Sequence, residues 1–478
     1  MYRELRMNVM ASSIVTLIVV GITARLLLKR YQPHFVLFAA GLTLMAASVL
    51  LGADPAKLVA KKAATGLMFF DFFKSIEVTM SSRAANLGLI IMSAGGFAKY
   101  MDVIGASGIM VTTITEPLKR LRAPYLMLFV CFLVGTFLKL FIPSASGLSV
   151  LLMVTIFPIV VRLGVSIFAA AAMVVTCGSF HLGPASGSLV MGAEFAGMTP
   201  VHYFLTYQIP SAIPGVLVLG IVSYFVQKYY DKKQAIGAHF GQAQEVDATL
   251  REKEEANLKN VPRFYIFLPT LPLLMLLMFS EIGFKGVKIS VTLAMLVSFA
   301  IAILCEVIRR PGEVKQSLKE AMSYFDGMGR QFALVVMLIV AAETFAKGLI
   351  MSGSINALIE LAQNAGLGRT GMVIAGTMAV ASACLVMGSG NATFFSFVAL
   401  APDIAKTVGF PAVDLIMPVH YATSIIVNMT PIAAIVVVVS GMANISPFDV
   451  IKRTALPSVC AFVTVLISSI IVCQTITP

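Results

Sequence analysis

Four short polar clusters interrupt an otherwise apolar chain, and they are where chemistry can sit. Pro143-Ser144-Ala145-Ser146-Gly147 and Gly388-Ser389-Gly390-Asn391, the latter followed by Thr393, supply hydroxyls, an amide and freed backbone groups. Gly183-Pro184-Ala185-Ser186-Gly187 and Asn428-Met429-Thr430-Pro431 supply the same groups in the middle of longer apolar runs. Irregular backbone at membrane depth is tolerated only where protein buries it or water reaches it. Where a helix restarts after a break, its free N–H groups and positive dipole end suit a carboxylate. Unwound carbonyls and half-helix C-termini suit Na⁺. The plainer alternative is that Gly and Ser only let helices pack closely.

A few ionisable residues lie in or beside the same segments. Lys139 stands five residues before Ser144 of the first cluster, inside an apolar arm, where a cation is costly and faces a cavity or a partner. It either attracts an anion, pairs structurally or snorkels. His181 precedes the first break and His420 lies eight residues before the second. Each either binds substrate or a proton, or is simply hydrogen-bonded. Glu194, the only acid of its half-span, is a further proton carrier to consider, while Glu343 and Lys347 are spaced to pair within one helix. The candidate substrate- or ion-binding residues are therefore Lys139, Ser144, Ser146, Gly147, His181, Gly183, Ser186, Gly388, Ser389, Gly390, Asn391, Thr393, Asn428 and Thr430. A Na⁺ ion would draw on Ser144, Ser146, Gly183, Ser389 and Asn391. No zinc-protease helix motif, nucleotide-binding P-loop or Cys/His cluster occurs, so no catalytic residue, metal cofactor or ATP-driven step is expected.

Composition says what must position these groups. The chain is 58% hydrophobic and only 12% charged, with mean hydropathy +0.92, where soluble domains run near a quarter charged. A lipid bilayer is its solvent. The net charge of +12 sits in short loops between apolar runs, which leaves no polar domain to face nucleic acid. All six cysteines lie inside apolar runs and read as small hydrophobes. The first apolar run, followed by Arg25, Lys29 and Arg30, reads as a retained helix.

Ten runs are long enough to cross a bilayer of about 30 Å: 9–28, 34–52, 84–104, 166–197, 202–228, 263–281, 288–308, 330–352, 412–443 and 454–474. The fourth and ninth carry the two breaks. The pairs 124–142/148–161 and 370–386/392–406 flank the other two clusters, and their short second arms, closed by Pro158 and Pro402, read as re-entrant hairpins. Amphipathic stretches 56–82 and 312–328 suit helices lying in the interface, or plain connectors. Residues 229–262 read as a charged cytoplasmic linker.

The chain also repeats itself. Arg83, Pro184, Pro200 and Pro210 recur as Arg330, Pro431, Pro447 and Pro457 at an offset of 247, and Phe97-Ala98-Lys99 recurs as Phe345-Ala346-Lys347. Each half, 1–228 and 263–478, then holds five spans and one hairpin. Five is odd, so the second copy runs inverted. With both termini outside, 21 Lys and Arg fall in inside loops against 11 outside, in line with the positive-inside rule. The expected fold is an all-α polytopic membrane protein of two inverted-topology repeats, a pattern typical of secondary transporters.

The two tips, Pro143-Ser144-Ala145-Ser146-Gly147-Leu148-Ser149-Val150-Leu151-Leu152-Met153 and Gly388-Ser389-Gly390-Asn391-Ala392, resemble the hairpin motifs of the anaerobic C4-dicarboxylate carrier family, DcuC. Residues 441–454, Gly441 through Asn444-Ile445-Ser446-Pro447 to Thr454, resemble that family's C-terminal signature, and the similarity runs over nearly the whole chain. The sequence departs from the family at Val427, where members carry an arginine, and at Lys139 and His181. The resemblance implies the broader fold shared with divalent-anion/sodium symporters: hairpins and broken spans as a moving domain, the other spans as a scaffold, and a homodimer. The expected function is secondary transport or exchange of small carboxylates, C4-dicarboxylates such as succinate and fumarate foremost, in a bacterial inner membrane. Na⁺, H⁺ or neither serves as coupling ion. A carrier of another organic anion, a non-transporting sensor and a channel are the alternatives.

Overall fold

Proline and serine set where the helices begin. Pro33, Pro124, Pro158 and Pro402 stand in the first turns of Pro33–Leu50, Pro124–Leu138, Phe157–Arg162 and Ala401–Val408, where a missing N–H costs nothing. Ser166 and Ser290 cap the starts of Ile167–Cys177 and Val291–Arg309 by accepting from the N–H groups of Ala169 and Leu293, each at 3.1 Å. The computed structural model describes residues 2–29, 31–54, 58–59, 63–117, 123–235, 261–279, 287, 289–353 and 368–476. Among them every regular element is a helix. Seven helices are long and apolar enough to cross a membrane, or eight if Met68–Val103 and Ala106–Thr115, bent by 73° at their junction, form one span. The chain is an all-helical polytopic membrane protein.

Several sequence expectations change here. The run 166–197 keeps its expected break, into the half-helices Ile167–Cys177 and Gly187–Phe195, but other runs do not keep to expectation. The run 263–281 forms a short 3₁₀ turn and then an eight-residue helix, Leu271–Met278; Pro269 and Pro272 keep an α-helix from running through, and eight residues rise only about 12 Å. The amphipathic stretches are not separate interfacial helices. Met68–Arg83 runs through a π-turn at 84–88 into Leu89–Val103, and Val314–Gln331 runs through one at 332–336 into Met337–Met351. The start of the proposed linker, to Ala235, closes the helix Ile209–Ala235. Residues 236–260, and Arg30, Lys57, Lys61, Lys62, Lys119, Arg120 and Arg122, lie outside the described residues.

Small residues let the long helices touch. A Cβ on Gly41 would meet the Thr344 backbone at 2.6 Å, and one on Gly348 would meet the Gly41 carbonyl oxygen at 2.9 Å, so Pro33–Leu50 and Met337–Met351 pack backbone to backbone. Gly96 and Gly327 do the same between Leu89–Val103 and Val314–Gln331. The helices Ile209–Ala235 and Pro447–Ile476 run antiparallel. Ser468 Oγ donates to the Ser211 carbonyl at 2.7 Å near one end, and Arg453 Nη1 donates to Asp231 Oδ1 at 2.7 Å near the other.

That Arg453–Asp231 pair is 2% and 5% exposed. Asp231 also accepts from the Ser166 hydroxyl at 2.5 Å and the Tyr125 hydroxyl at 3.2 Å, while Arg453 donates to Gln227 Oε1 and lies over the Phe168 and Tyr230 rings. One carboxylate thereby fixes the ends of four helices. Removing one partner of such a buried pair leaves an uncompensated charge, at a cost of about 3–5 kcal/mol. Arg453→Met is therefore expected to lower the thermal stability of the detergent-solubilised protein steeply, while Arg453→Met with Asp231→Leu recovers most of the loss.

Candidate functional site

The first tip, between Pro124–Leu138 and Ala145–Thr155, begins again at Ser144, whose Oγ accepts from Gly147 N–H at 3.1 Å. Ser146 Oγ lies 3.4 Å from Ser144 Oγ. Lys139, 2% exposed, does not reach into open space: its ammonium donates to the carbonyl of Pro143, so the cation closes the turn beneath the tip. The second tip is built the same way. Gly388, at φ +64°, ends Arg369–Met387, and Ser389 caps Gly390–Val398 by accepting from Ala392 N–H at 3.3 Å. Thr393 Oγ1 donates to the Ser389 carbonyl at 2.8 Å, and Asn391 stands exposed.

Each tip packs on the break of its own half. A Cβ on Gly390 would meet the Thr423 carbonyl oxygen at 2.4 Å, and one on Gly388 would meet Ile432 at 2.2 Å, so no larger residue fits either place without a shift. Gly183, at φ +98°, faces the Leu140 carbonyl. A narrow apolar cleft runs between Phe97, Ala98, Leu140, Pro143, Pro184 and Ala185, beside the first tip and break.

The breaks are braced by side chains that the sequence reading did not single out. Gln208, fully buried, donates from Nε2 to the His181 carbonyl at 2.9 Å and accepts from Gly183 N–H at 3.3 Å. Thr454 Oγ1 donates to the Asn428 carbonyl at 3.1 Å. Both are polar residues in long apolar helices, the one signal that marked them. The two breaks also meet each other: Asn428 Nδ2 donates to Ser179 Oγ at 2.8 Å. Ser188 Oγ lies 3.0 Å from His420 Nε2 and 3.5 Å from His181 Nδ1, and Ser186 Oγ lies 3.1 Å from Ser188 Oγ. His181, His420 and Ser186 are thus joined through Ser188 in one polar cluster, and Asn428 joins the two breaks through Ser179. Asn428 Oδ1 and His420 Nδ1 have no partner among the described residues. Thr430, 2% exposed, closes the second break.

The four helix restarts differ in a way that bears on anions. Serine side chains cap the two restarts at the tips, whereas the restarts after the breaks, Gly187–Phe195 and Ala434–Met442, have no side-chain cap. Their first N–H groups are the ones open to an acceptor. Glu343 and Lys347 do not pair with each other. Glu343 meets Arg83 Nε at 2.7 Å, and Lys347 donates to the Leu58 carbonyl and to Ser75 Oγ. The i,i+4 spacing allowed a contact, but better partners on neighbouring helices took both groups.

The model of the C4-dicarboxylate anaerobic carrier family, DcuC, matches residues 10–474. A probable anaerobic C4-dicarboxylate transporter DcuC of Vibrio cholerae is 33% identical over 465 residues, covering 97% of this chain and 98% of that protein. The anaerobic C4-dicarboxylate transporter DcuC of Escherichia coli K12 is 33% identical over 452 residues, 95% and 94% of the two chains. Among solved structures, Neisseria gonorrhoeae MtrF, from a class of antimetabolite efflux pumps, superposes with a TM-score of 0.63 at 14% identity over 92% of this chain and 95% of its own. The Alcanivorax borkumensis YdaH transporter gives 0.61 at 15% identity over 93% and 98%. At such identities the likeness is one of fold.

Gln208→Leu keeps the volume but strands a buried N–H and a buried carbonyl, each at about 1–3 kcal/mol. It is expected to destabilise the protein and to weaken substrate binding together. Tyr421→Phe, which removes only the hydroxyl bonded to the Gln208 carbonyl at 2.6 Å, is expected to be milder in both. Thermal unfolding with and without substrate reads the two effects.

Proposed function

The chain belongs to the C4-dicarboxylate anaerobic carrier family, and from that membership we propose that it is a secondary carrier or exchanger of four-carbon dicarboxylates such as succinate and fumarate, and not an enzyme. The observation that carries the reading furthest is the family match over nearly the whole chain, joined to two uncapped helix starts after the breaks. A dicarboxylate has two anionic ends, and a restarted helix offers each end free N–H groups without a buried counter-charge. Ser144, Ser146, Gly147, Gly183, Ser186, Gly388, Ser389, Gly390, Asn391, Thr393, Asn428 and Thr430 form the proposed site, with His181 within it and Lys139 supplying positive charge below the first tip.

The working cycle we infer is alternating access of an elevator type on two inverted repeats, 1–228 and 263–478. The 247-residue offset supports it, as do the π-turns at 84–88 and 332–336. Packing is reciprocal as well. The arm Ala145–Thr155 lies against Ala434–Met442 of the other half, and Gly390–Val398 against Gly187–Phe195. The antiparallel crossing of Ile209–Ala235 with Pro447–Ile476, which correspond at the same offset, is what an inverted repeat requires. A homodimer in a bacterial inner membrane with both termini outside completes the proposal. Coupling runs through Na⁺ at Ser144, Ser146, Gly183, Ser389 and Asn391, through H⁺ at His181, His420 or Glu194, or is replaced by exchange.

Purified protein in liposomes is expected to take up labelled succinate, fumarate or aspartate saturably and to show counterflow. Absence of carboxylate flux under every imposed gradient overturns the reading, and Na⁺ and pH gradients applied separately identify the coupling ion. Lys139→Ala is expected to raise the apparent KM roughly ten-fold or more, since a hydrogen bond to a charged group is worth about 1.5–3 kcal/mol. An unchanged KM would confine Lys139 to holding the Pro143 turn. Asn391→Ala is expected to impair net flux and exchange alike.

A further inference from the structure

Arg83 ends the helix Met68–Arg83 just before the π-turn, and it reaches two other elements at once. Its Nε lies 2.7 Å from Glu343 Oε1 on Met337–Met351, its Nη1 3.4 Å from Glu194 Oε1 on the half-helix Gly187–Phe195, and its guanidinium 5.1 Å from the centre of the Phe195 ring. In the elevator reading, on which this inference rests, the first and second of these helices belong to the fixed frame. The half-helix, restarting after the first break, belongs to the moving unit. The Glu343 contact is thus internal to the frame, while the Glu194 and Phe195 contacts cross the sliding boundary. Glu343 is the more buried acid, 15% exposed at its side chain against 49% for Glu194, so the arginine is anchored on the frame and reaches outward.

The arrangement occurs on one side only. At the offset of 247, Arg83 has its counterpart in Arg330, but Glu343 corresponds to Gly96, Glu194 to Gly441 and Phe195 to Met442. Arg330 is exposed and makes no ion pair among the described residues. In an inverted repeat the two end states approximately exchange the environments of the two halves. A boundary contact present in one half therefore stabilises one end state and not the other.

We propose that Arg83 is a positioning residue that acts as a one-sided catch: it holds the half-helix 187–195 against the frame in the arrangement described here, releases it when the moving unit crosses, and so biases the carrier toward one facing. The catch must be weak to be useful. A partly exposed pair of this kind is worth about 0.2–1 kcal/mol, a factor of up to about five in the balance between the two facings. Because the apparent affinity on either face scales with the fraction of carriers presenting that face, loosening the catch has a signature that general damage lacks. The apparent KM rises on one face and falls on the other.

The test is exchange kinetics of dicarboxylate in liposomes holding oriented carrier, with the KM measured from each face for the parent protein, Arg83→Gln, Arg83→Lys and Glu194→Gln. Glu194→Gln removes the crossing ion pair and leaves the Arg83–Glu343 anchor, which keeps the test usable if Arg83→Gln fails to fold; exchange is measured without a pH gradient, so that loss of Glu194 as a candidate proton carrier does not enter the readout. Opposite shifts of about two- to five-fold in Glu194→Gln, with Arg83→Lys closer to the parent, are expected. Parallel shifts on both faces, or a fall in maximal rate with both KM values unchanged, overturn the catch. Lack of saturable exchange in the parent protein overturns instead the carrier reading on which it rests.

Discussion

An unpaired backbone N–H or carbonyl in an interior without water costs several kcal/mol, and this chain interrupts its helices at four places where that cost falls due. Everything around these places answers it. Ser144 and Ser389 cap two restarts, Gln208 takes a donor and an acceptor from the first break, Thr454 takes a carbonyl from the second, and Tyr421 holds Gln208 in turn. Gly388 and Gly390 allow the second tip to lie directly on the second break, so the irregular segments cover one another. The restarts at Gly187 and Ala434 have no side-chain cap.

The charged residues divide between two tasks. Arg453 and Asp231 are buried deeply and share a dense set of partners, an arrangement that fixes helix ends and resists opening. Glu306, also fully buried, is gripped by Arg309 and Arg310, and Arg310 ties the end of Val291–Arg309 to Glu320 on the following amphipathic helix. Arg83 is different: it serves two acids, one 15% and the other 49% exposed, and can lose the outer one without being stranded.

Much of this was legible in the residues. Hydropathy marked the helical runs, and Pro158, Pro402 and the Ser-Gly clusters marked the tips and breaks close to where they stand. What escaped was what depends on neighbours distant in sequence. The i,i+4 spacing of Glu343 and Lys347 suggested a local pair, but Arg83 and Ser75 lie over 250 residues away and packing brought them closer. For Lys139 the sequence left an anion, a structural partner and snorkelling open; the partner in the structure is nearby, the carbonyl of Pro143. The run 263–281 was long enough to span on a count of apolar residues, which ignores what Pro269 and Pro272 do to a helix.

The two π-turns carry one further meaning. Each wide turn holds one more residue than an α-turn, so every side chain beyond it is rotated by about 100° from where an unbroken α-helix would put it. That rotation lets a single helix present an amphipathic face before the turn and a differently directed buried face after it, as Val314–Gln331 and Met337–Met351 do. A wide turn of this kind is the ordinary trace of a single-codon insertion. The insertions stand at 84–88 and 332–336, just after Arg83 and Arg330. On the proposed duplication the matching places make them one inherited feature, whereas the acids that Arg83 grips have no counterpart beside Arg330.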